Sequence, residues 1–152
     1  MRVGVISDTH GLLRPEALAA LAGVDHILHA GDIGREGLVA ELEQLAPVTA
    51  IRGNIDTAPW CAAYPEVAEP ELGGTRIHMR HDRKTLDFDP AASGIDVVIS
   101  GHSHKPLIET VEGALYLNPG AAGPRRFKLP VTLAILDLGA GAPRADLLQL
   151  IG

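Results

Sequence analysis

Four short apolar segments of this chain end alike, in a small or glycine-led turn that carries carboxylate, imidazole or amide. RVGVIS (2–7) runs into Asp8-Thr9-His10-Gly11, and DHILHA (25–30) into Gly31-Asp32. VTAI (48–51) reaches Gly53-Asn54 one residue later, and DVVIS (96–100) runs into Gly101-His102-Ser103-His104. Each segment is rich in β-branched residues and reads as a buried strand. In open α/β sheets the ligand crevice lies outside the carboxyl ends of the strands. If these four strands are parallel, Asp8, His10, Asp32, Asn54, His102 and His104 converge on one crevice. The glycines allow the backbone to turn sharply beside it.

Pro15–Leu21 is predicted as a short helix with proline at a permitted first-turn position. Leu38, Val39, Leu42 and Leu45 recur at helical spacing and predict a helix over Arg35–Leu45. Glu66–Leu72 and Thr75–Arg80 read as a hairpin around Gly73-Gly74, followed by a loop with one helical turn before Pro90. Leu107–Val111, Leu115–Asn118, Val131–Asp137 and Ala145–Leu150 read as further strands. The first half therefore predicts a parallel sheet flanked by helices. The second half predicts an antiparallel sheet facing it. The expectation is an α/β chain of one domain, residues 1–152, with two sheets in the middle and helices outside.

Composition narrows the function. Aromatic residues are only 3% of the chain, too few for a platform on which single-stranded nucleic acid stacks. The formal net charge is -6 with no run of Lys or Arg, which disfavours nucleic acid and anionic membrane surfaces as partners. No apolar stretch approaches the roughly 20 residues of a membrane span, and the opening MRVGVISDTHG reads as a first strand rather than a signal peptide. The single cysteine, Cys61, allows no internal disulfide, which suits a reducing cytoplasm. Exposed strand edges could pair between subunits as a homo-oligomer.

A cluster of carboxylate, imidazole and amide oxygen suits Mn²⁺, Fe²⁺, Ni²⁺ or Zn²⁺. With His81 at the end of the hairpin strand there are seven candidate ligands. That number matches two ions better than one, and two cations about 3.5–4 Å apart can clamp a phosphate and activate a water. His102 and His104, two apart, could then serve one ion each.

The ordered series SDTHG (7–11), HAGDI (29–33), GNID (53–56), a lone histidine, SGHSH (100–104) and LNPGA (117–121) resembles the calcineurin-like metallophosphoesterases. It is most similar to their small, single-domain bacterial and archaeal phosphodiesterases. The resemblance implies a four-layer α/β/β/α sandwich of two mixed β-sheets flanked by helices. It implies one ion on Asp8, His10, Asp32 and His104, and a second on Asp32, Asn54, His81 and His102, with Asp32 as the bridge. It also implies hydrolysis of a small-molecule phosphodiester by a metal-bridging hydroxide, commonly with Mn²⁺ or Ni²⁺, with Asp32, Asn54 and His102 as catalytic residues.

The sequence departs from the family at two places. Ile55 stands where many larger members carry a histidine thought to protonate the leaving group, and Asp82 follows the lone histidine where glycine is usual. His78 rivals His81 as that histidine. Strand alternation sets His81 on the face of Ile77 and Met79 and His78 on the other, and strand-end position and family spacing favour His81.

Plainer readings stand beside these. Asp32 could only cap the 35–45 helix, and Asn54 could only favour a left-handed turn. His29 reads as a hydrogen-bonded core residue behind the ligands, and Asp56 as either a turn cap or a residue that orients a ligand. Arg83, Lys84, Arg125 and Arg126 could meet a phosphate or simply be solvated. Two further functions fit the same residues: a non-catalytic metal-binding scaffold, as in a retromer subunit of similar fold, and phosphomonoester or pyrophosphate hydrolysis.

Overall fold

Alternation of apolar side chains decides the architecture. The computed structural model describes residues 1–152. Its strands are β1 (Arg2–Ile6), β2 (His26–His29), β3 (Val48–Ala50), β4 (Val67–Ala68), β5 (Glu71–Leu72), β6 (Thr75–Arg80), β7 (Val97–Ile99), β8 (Leu107–Val111), β9 (Ala114–Asn118), β10 (Thr132–Asp137) and β11 (Arg144–Gln149). The first sheet has the order β11-β10-β1-β2-β3, with β1, β2 and β3 parallel and β10 and β11 antiparallel. The second has the order β4-β6-β7-β9-β8, and β5 also pairs with β6.

Odd and even positions of β1 go to different cores. Val3 and Val5 face the second sheet, where they meet Ile77, Met79, Val97, Ile99, Leu115 and Leu117. Ile6 faces the other way, toward helices α1 (Pro15–Ala20) and α2 (Leu38–Glu43) through Leu21, Leu38 and Leu42. Gly4 shares that outer face, and a Cβ there would collide with Leu21, so the glycine lets α1 sit close to the strand. In the second sheet Val98, Ala114 and Tyr116 point outward and are covered by Leu86, Phe88 and Ala91. Strands buried on both faces make truncation expensive: Leu28→Ala or Ile99→Ala should cost about 2–5 kcal/mol.

Four expectations change. The second half does not build a purely antiparallel sheet: β6, β7 and β9 run parallel, and β10 and β11 return to the first sheet. The segment over the second sheet is, as expected, a loop with one helical turn, a 3₁₀ turn at Arg83–Thr85. Helix α2 starts at Leu38, because Gly34 and Gly37 adopt left-handed backbone (φ 96° and 88°) and delay it. Asp32 is therefore not its cap. Pro70 lies between β4 and β5, which splits the first hairpin strand in two.

Candidate metal centre

The carboxyl ends of β1, β2, β3, β6 and β7 lie along one rim between the sheets, and all seven predicted ligands come from the turns after them. Asp8, His10, Asp32, His102 and His104 all have φ between 45° and 71°, and they are five of the seven non-glycine residues in that region. Left-handed backbone at a side-chain-bearing residue costs on the order of 1 kcal/mol. Strain concentrated on the candidate ligands marks a site held by its surroundings. Asn54 is not among these residues, so a left-handed turn does not explain it.

Each central carboxylate is held by one oxygen and presents the other. Asp8 Oδ2 accepts from Ser7 Oγ at 2.7 Å and from the His102 backbone N–H at 3.1 Å. Its Oδ1 lies 3.4 Å from His104 Nε2, 3.7 Å from His81 Nε2 and 3.8 Å from His10 Nε2. Asp32 Oδ1 accepts from the Ile55 N–H at 3.1 Å, and its Oδ2 lies 3.1 Å from His81 Nε2 and 3.5 Å from His10 Nε2. Two ion-sized groups result: Asp8, His10 and His104, and Asp8, Asp32 and His81. Asp8 is common to both, while Asp32 Oδ2 reaches an imidazole of each.

The remaining two candidate ligands sit on the open side, and His102 belongs to neither ion-sized group. His102 and Asn54 are exposed, with His102 Nδ1 3.1 Å from Asn54 Oδ1. The amide oxygen accepts from Nδ1–H, which leaves Nε2 as the ring nitrogen with the free lone pair. Asp82 lies 3.9 Å from that Nε2 through Oδ2, and its Oδ1 accepts from the Lys84 N–H to cap the 3₁₀ turn. His81 closes the inner side. Its rival His78 faces the opposite side of β6, bonded to Glu69 at 2.8 Å and packed on Phe88.

Whether this cluster fits a metal can be tested on its unpaired atoms. Asp8 Oδ1, His10 Nε2, His81 Nε2 and His104 Nδ1 are buried without a hydrogen-bond partner, an expensive arrangement unless a ligand meets them. His81 is the sharpest case. Its Nδ1–H donates to the Ala30 carbonyl at 2.7 Å, so a neutral ring aims its Nε2 lone pair at two carboxylates. Only a proton or a cation relieves that. In the metal-free chain a proton does. Burial opposes the charge on His81, but the Asp32 hydrogen bond and the Asp8 charge outweigh it and raise its pKa. The Asp8 bond likewise raises His10. Burial also opposes ionisation of Asp8, and the bonds to His10 and His104 reverse it, holding Asp8 below the usual carboxylate range. Oxygen and imidazole donors in this number fit divalent ions of the Mn²⁺ to Zn²⁺ group.

Of the residues that position the candidate ligands, the sequence placed His29 correctly as a hydrogen-bonded core residue, left Asp56 between two roles and gave none to Asn118. Asp56 accepts three backbone N–H bonds, from Gly53 at 2.8 Å, Ile33 at 3.0 Å and Gly34 at 3.1 Å. It joins the Asp32 turn to the Asn54 turn. His29 accepts from the Gly31 N–H through Nδ1 at 3.1 Å, so its Nε2–H donates to Thr9 Oγ1 at 3.0 Å. Thr9 passes the chain on to the Ile33 carbonyl. Asn118, at the end of β9, donates to Gly101 O at 2.9 Å and fixes the histidine turn. The only signal for these in the sequence is a polar residue within or beside a strand end.

The chain is similar in sequence and fold to known proteins. The profile of the calcineurin-like phosphoesterase superfamily domain matches residues 1–141. A protein of Methanothermobacter thermautotrophicus named "Probable metallophosphoesterase" is 36% identical over 147 residues, covering 89% of this chain and 85% of that one. An archaeal phosphodiesterase of known structure superposes with a TM-score of 0.79 at 26% identity, covering 97% of this chain and 100% of the other. Vps29 of Entamoeba histolytica, solved in complex with zinc, shares the fold with a TM-score of 0.75 at 22% identity, covering 99% and 100%.

Proposed function

The chain belongs to the calcineurin-like phosphoesterase superfamily, and from that premise we propose that it is a metal-dependent phosphodiesterase using two divalent ions. The observation that carries this reading is the His81 Nε2 lone pair, turned on two carboxylates by the Ala30 carbonyl behind the ring. Asp8, His10 and His104 would hold one ion. Asp32, His81, Asn54 and His102 would hold the other, with Asp32 Oδ2 placed to serve both. Bound there, such ions supply Lewis acidity to a phosphoryl group and a water acidic enough to act as nucleophile at neutral pH.

The chain's own residues do the positioning. Ser7 and the His102 N–H fix the Asp8 carboxylate, and the Ile55 N–H fixes that of Asp32. Asn54, on the open side, can donate its amide N–H to a phosphoryl oxygen. Ile55 has no proton to give a leaving group, so substrates that leave as weak bases, such as aryl oxides, are favoured. Mn²⁺ suits the mixed oxygen and nitrogen donors, with Ni²⁺, Fe²⁺ and Zn²⁺ as competitors.

The test is hydrolysis of bis(p-nitrophenyl) phosphate by chelator-stripped protein with and without added Mn²⁺. Activity should require the ion and disappear in Asp32→Asn. Activity indifferent to chelation and to Asp32→Asn contradicts the proposal. The fold shared with Vps29 favours a second reading, a scaffold. Metal binding without turnover of diester, monoester or pyrophosphate would select it, and turnover of only the last two would move the reaction class.

A further inference from the structure

Three neighbouring cavities on the His102–His104 side of the centre share one lining side chain, Arg126. A cavity of about 680 Å³ beside His102 is walled by Arg83, Lys84, Lys105, Tyr116 and Arg126. A second of about 680 Å³ is walled by Ser103, Lys105, Arg126, Phe127 and Lys128. A third, of about 210 Å³, lies between His10, His104, Arg125 and Arg126. Arg126 thus stands where the metal centre meets both larger spaces.

The charge there opposes that of the chain. The chain has three lysines, and all three lie on these walls although the net charge is -6. Arg83 is committed to Glu109 at 2.6 Å and to the Tyr116 ring, and Arg125 donates to the Gly152 carbonyl. The charged ends of Lys84, Lys105, Arg126 and Lys128 make no hydrogen bond or salt bridge to protein. Asp82 is the only carboxylate lining the three spaces. Like charges gathered without partners repel unless an anion joins them.

Between two of these cations sits Phe127. It is 89% exposed and has φ 53°, a conformation that a bulky side chain seldom adopts. A benzyl group held out to water between Arg126 and Lys128 presents a flat apolar face flanked by positive charge. A nucleobase stacks on such a face, and its phosphates meet the cations.

We propose that this rim is a second anion subsite, and that the preferred substrate is a small nucleotide-type phosphodiester carrying a phosphate beyond the scissile one. Lys105 and Arg126 bind the additional phosphate and Phe127 stacks the base. The inference rests on the phosphodiesterase reading above.

The test compares two probes that release the same p-nitrophenol: thymidine 3′-phosphate 5′-(p-nitrophenyl phosphate), and p-nitrophenyl thymidine 5′-phosphate, which lacks the extra phosphate. The wild-type kcat/KM ratio should favour the first by about tenfold, the effect of one partly screened charged hydrogen bond. The ratio should fall toward one in the Lys105→Gln/Arg126→Gln double variant and shrink at high salt. Phe127→Ala should lower the thymidine probe against methyl p-nitrophenyl phosphate. Equal rates on the two thymidine probes in wild type, or a ratio untouched by the double variant, overturns the assignment. Calorimetry of Mn²⁺-loaded protein with thymidine 3′,5′-bisphosphate and thymidine 5′-monophosphate separates the two claims. If no probe turns over, the hydrolase reading fails, and tighter bisphosphate binding that is lost in the double variant still supports the subsite. Equal affinities overturn it.

Discussion

The carboxylate of Asp8 accepts a hydrogen bond from the backbone N–H of His102, 94 residues away, at 3.1 Å. One bond therefore ties the turn after β1 in the first sheet to the turn after β7 in the second. Gly101 makes the approach possible, since a Cβ there would stand 2.5 Å from Asp8 Oδ2 and collide with Ser7 Oγ. Gly101→Ala should lower thermal stability by about 1–3 kcal/mol and weaken Mn²⁺ binding at least tenfold. Calorimetric titration and thermal unfolding check both. Wild-type affinity in the variant would show that the approach is not needed.

Asp56 holds three N–H groups of the two turns that carry Asp32 and Asn54. Asp56→Ala leaves all three without their acceptor, at about 1–3 kcal/mol for each that water cannot reach. Residues that orient ligands typically matter about 10–100-fold in metal affinity. Metal affinity should fall by that amount, while Asp56→Asn should restore part of it. An Asp56→Ala variant that binds metal normally would assign Asp56 to turn capping alone.

His29 should make folding depend on pH. Burial depresses its pKa to about 4, and protonation would set a second N–H against the Gly31 N–H. Its folded pKa lies below the unfolded value of about 6.5, so the unfolded chain binds the proton more tightly. The stabilisation is complete above pH 6.5 and is lost as pH falls toward 4, by up to about 3 kcal/mol. His29→Asn keeps an acceptor for Gly31 and does not titrate. Urea unfolding at pH 7 and pH 5 should show a steeper loss for wild type than for this variant. Parallel losses would contradict the burial argument.

Metal binding should depend on pH with the opposite origin. His10 and His81 carry raised pKa values in the metal-free chain, so below those values each holds a proton that an incoming ion must displace. Below those raised values, affinity for Mn²⁺ should rise about tenfold per pH unit for each proton released, and level off above them. The same protons stabilise the metal-free fold at low pH, and that contribution is lost as pH rises through the raised values. Competition against a chelator across pH 5–9 measures the slope. A flat profile would mean that neither imidazole is a ligand.

How much of this was legible follows from the range of the interactions. Richness in β-branched residues is a local signal, so β1, β2, β3 and β7 and the ligand turns after them could be read directly. The parallel centre of the second sheet could not, because the connection from β6 to β7 carries a 3₁₀ turn and loop instead of a periodic helix. Gly34 and Gly37 shorten α2 against the apolar spacing around them. The work of Asp56, Ser7 and Asn118 consists of hydrogen bonds to backbone that folding brings near, and residue type alone carries no sign of it. The positive φ at five candidate ligands is likewise a property of the folded chain.

Metal stoichiometry decides whether the centre holds a pair of ions. Chelator-stripped protein loaded with Mn²⁺, freed of excess ion and analysed for metal should hold two ions per chain, with fewer in Asp32→Asn. Saturation at one ion, or an Asp32→Asn variant that still holds two, would contradict the account.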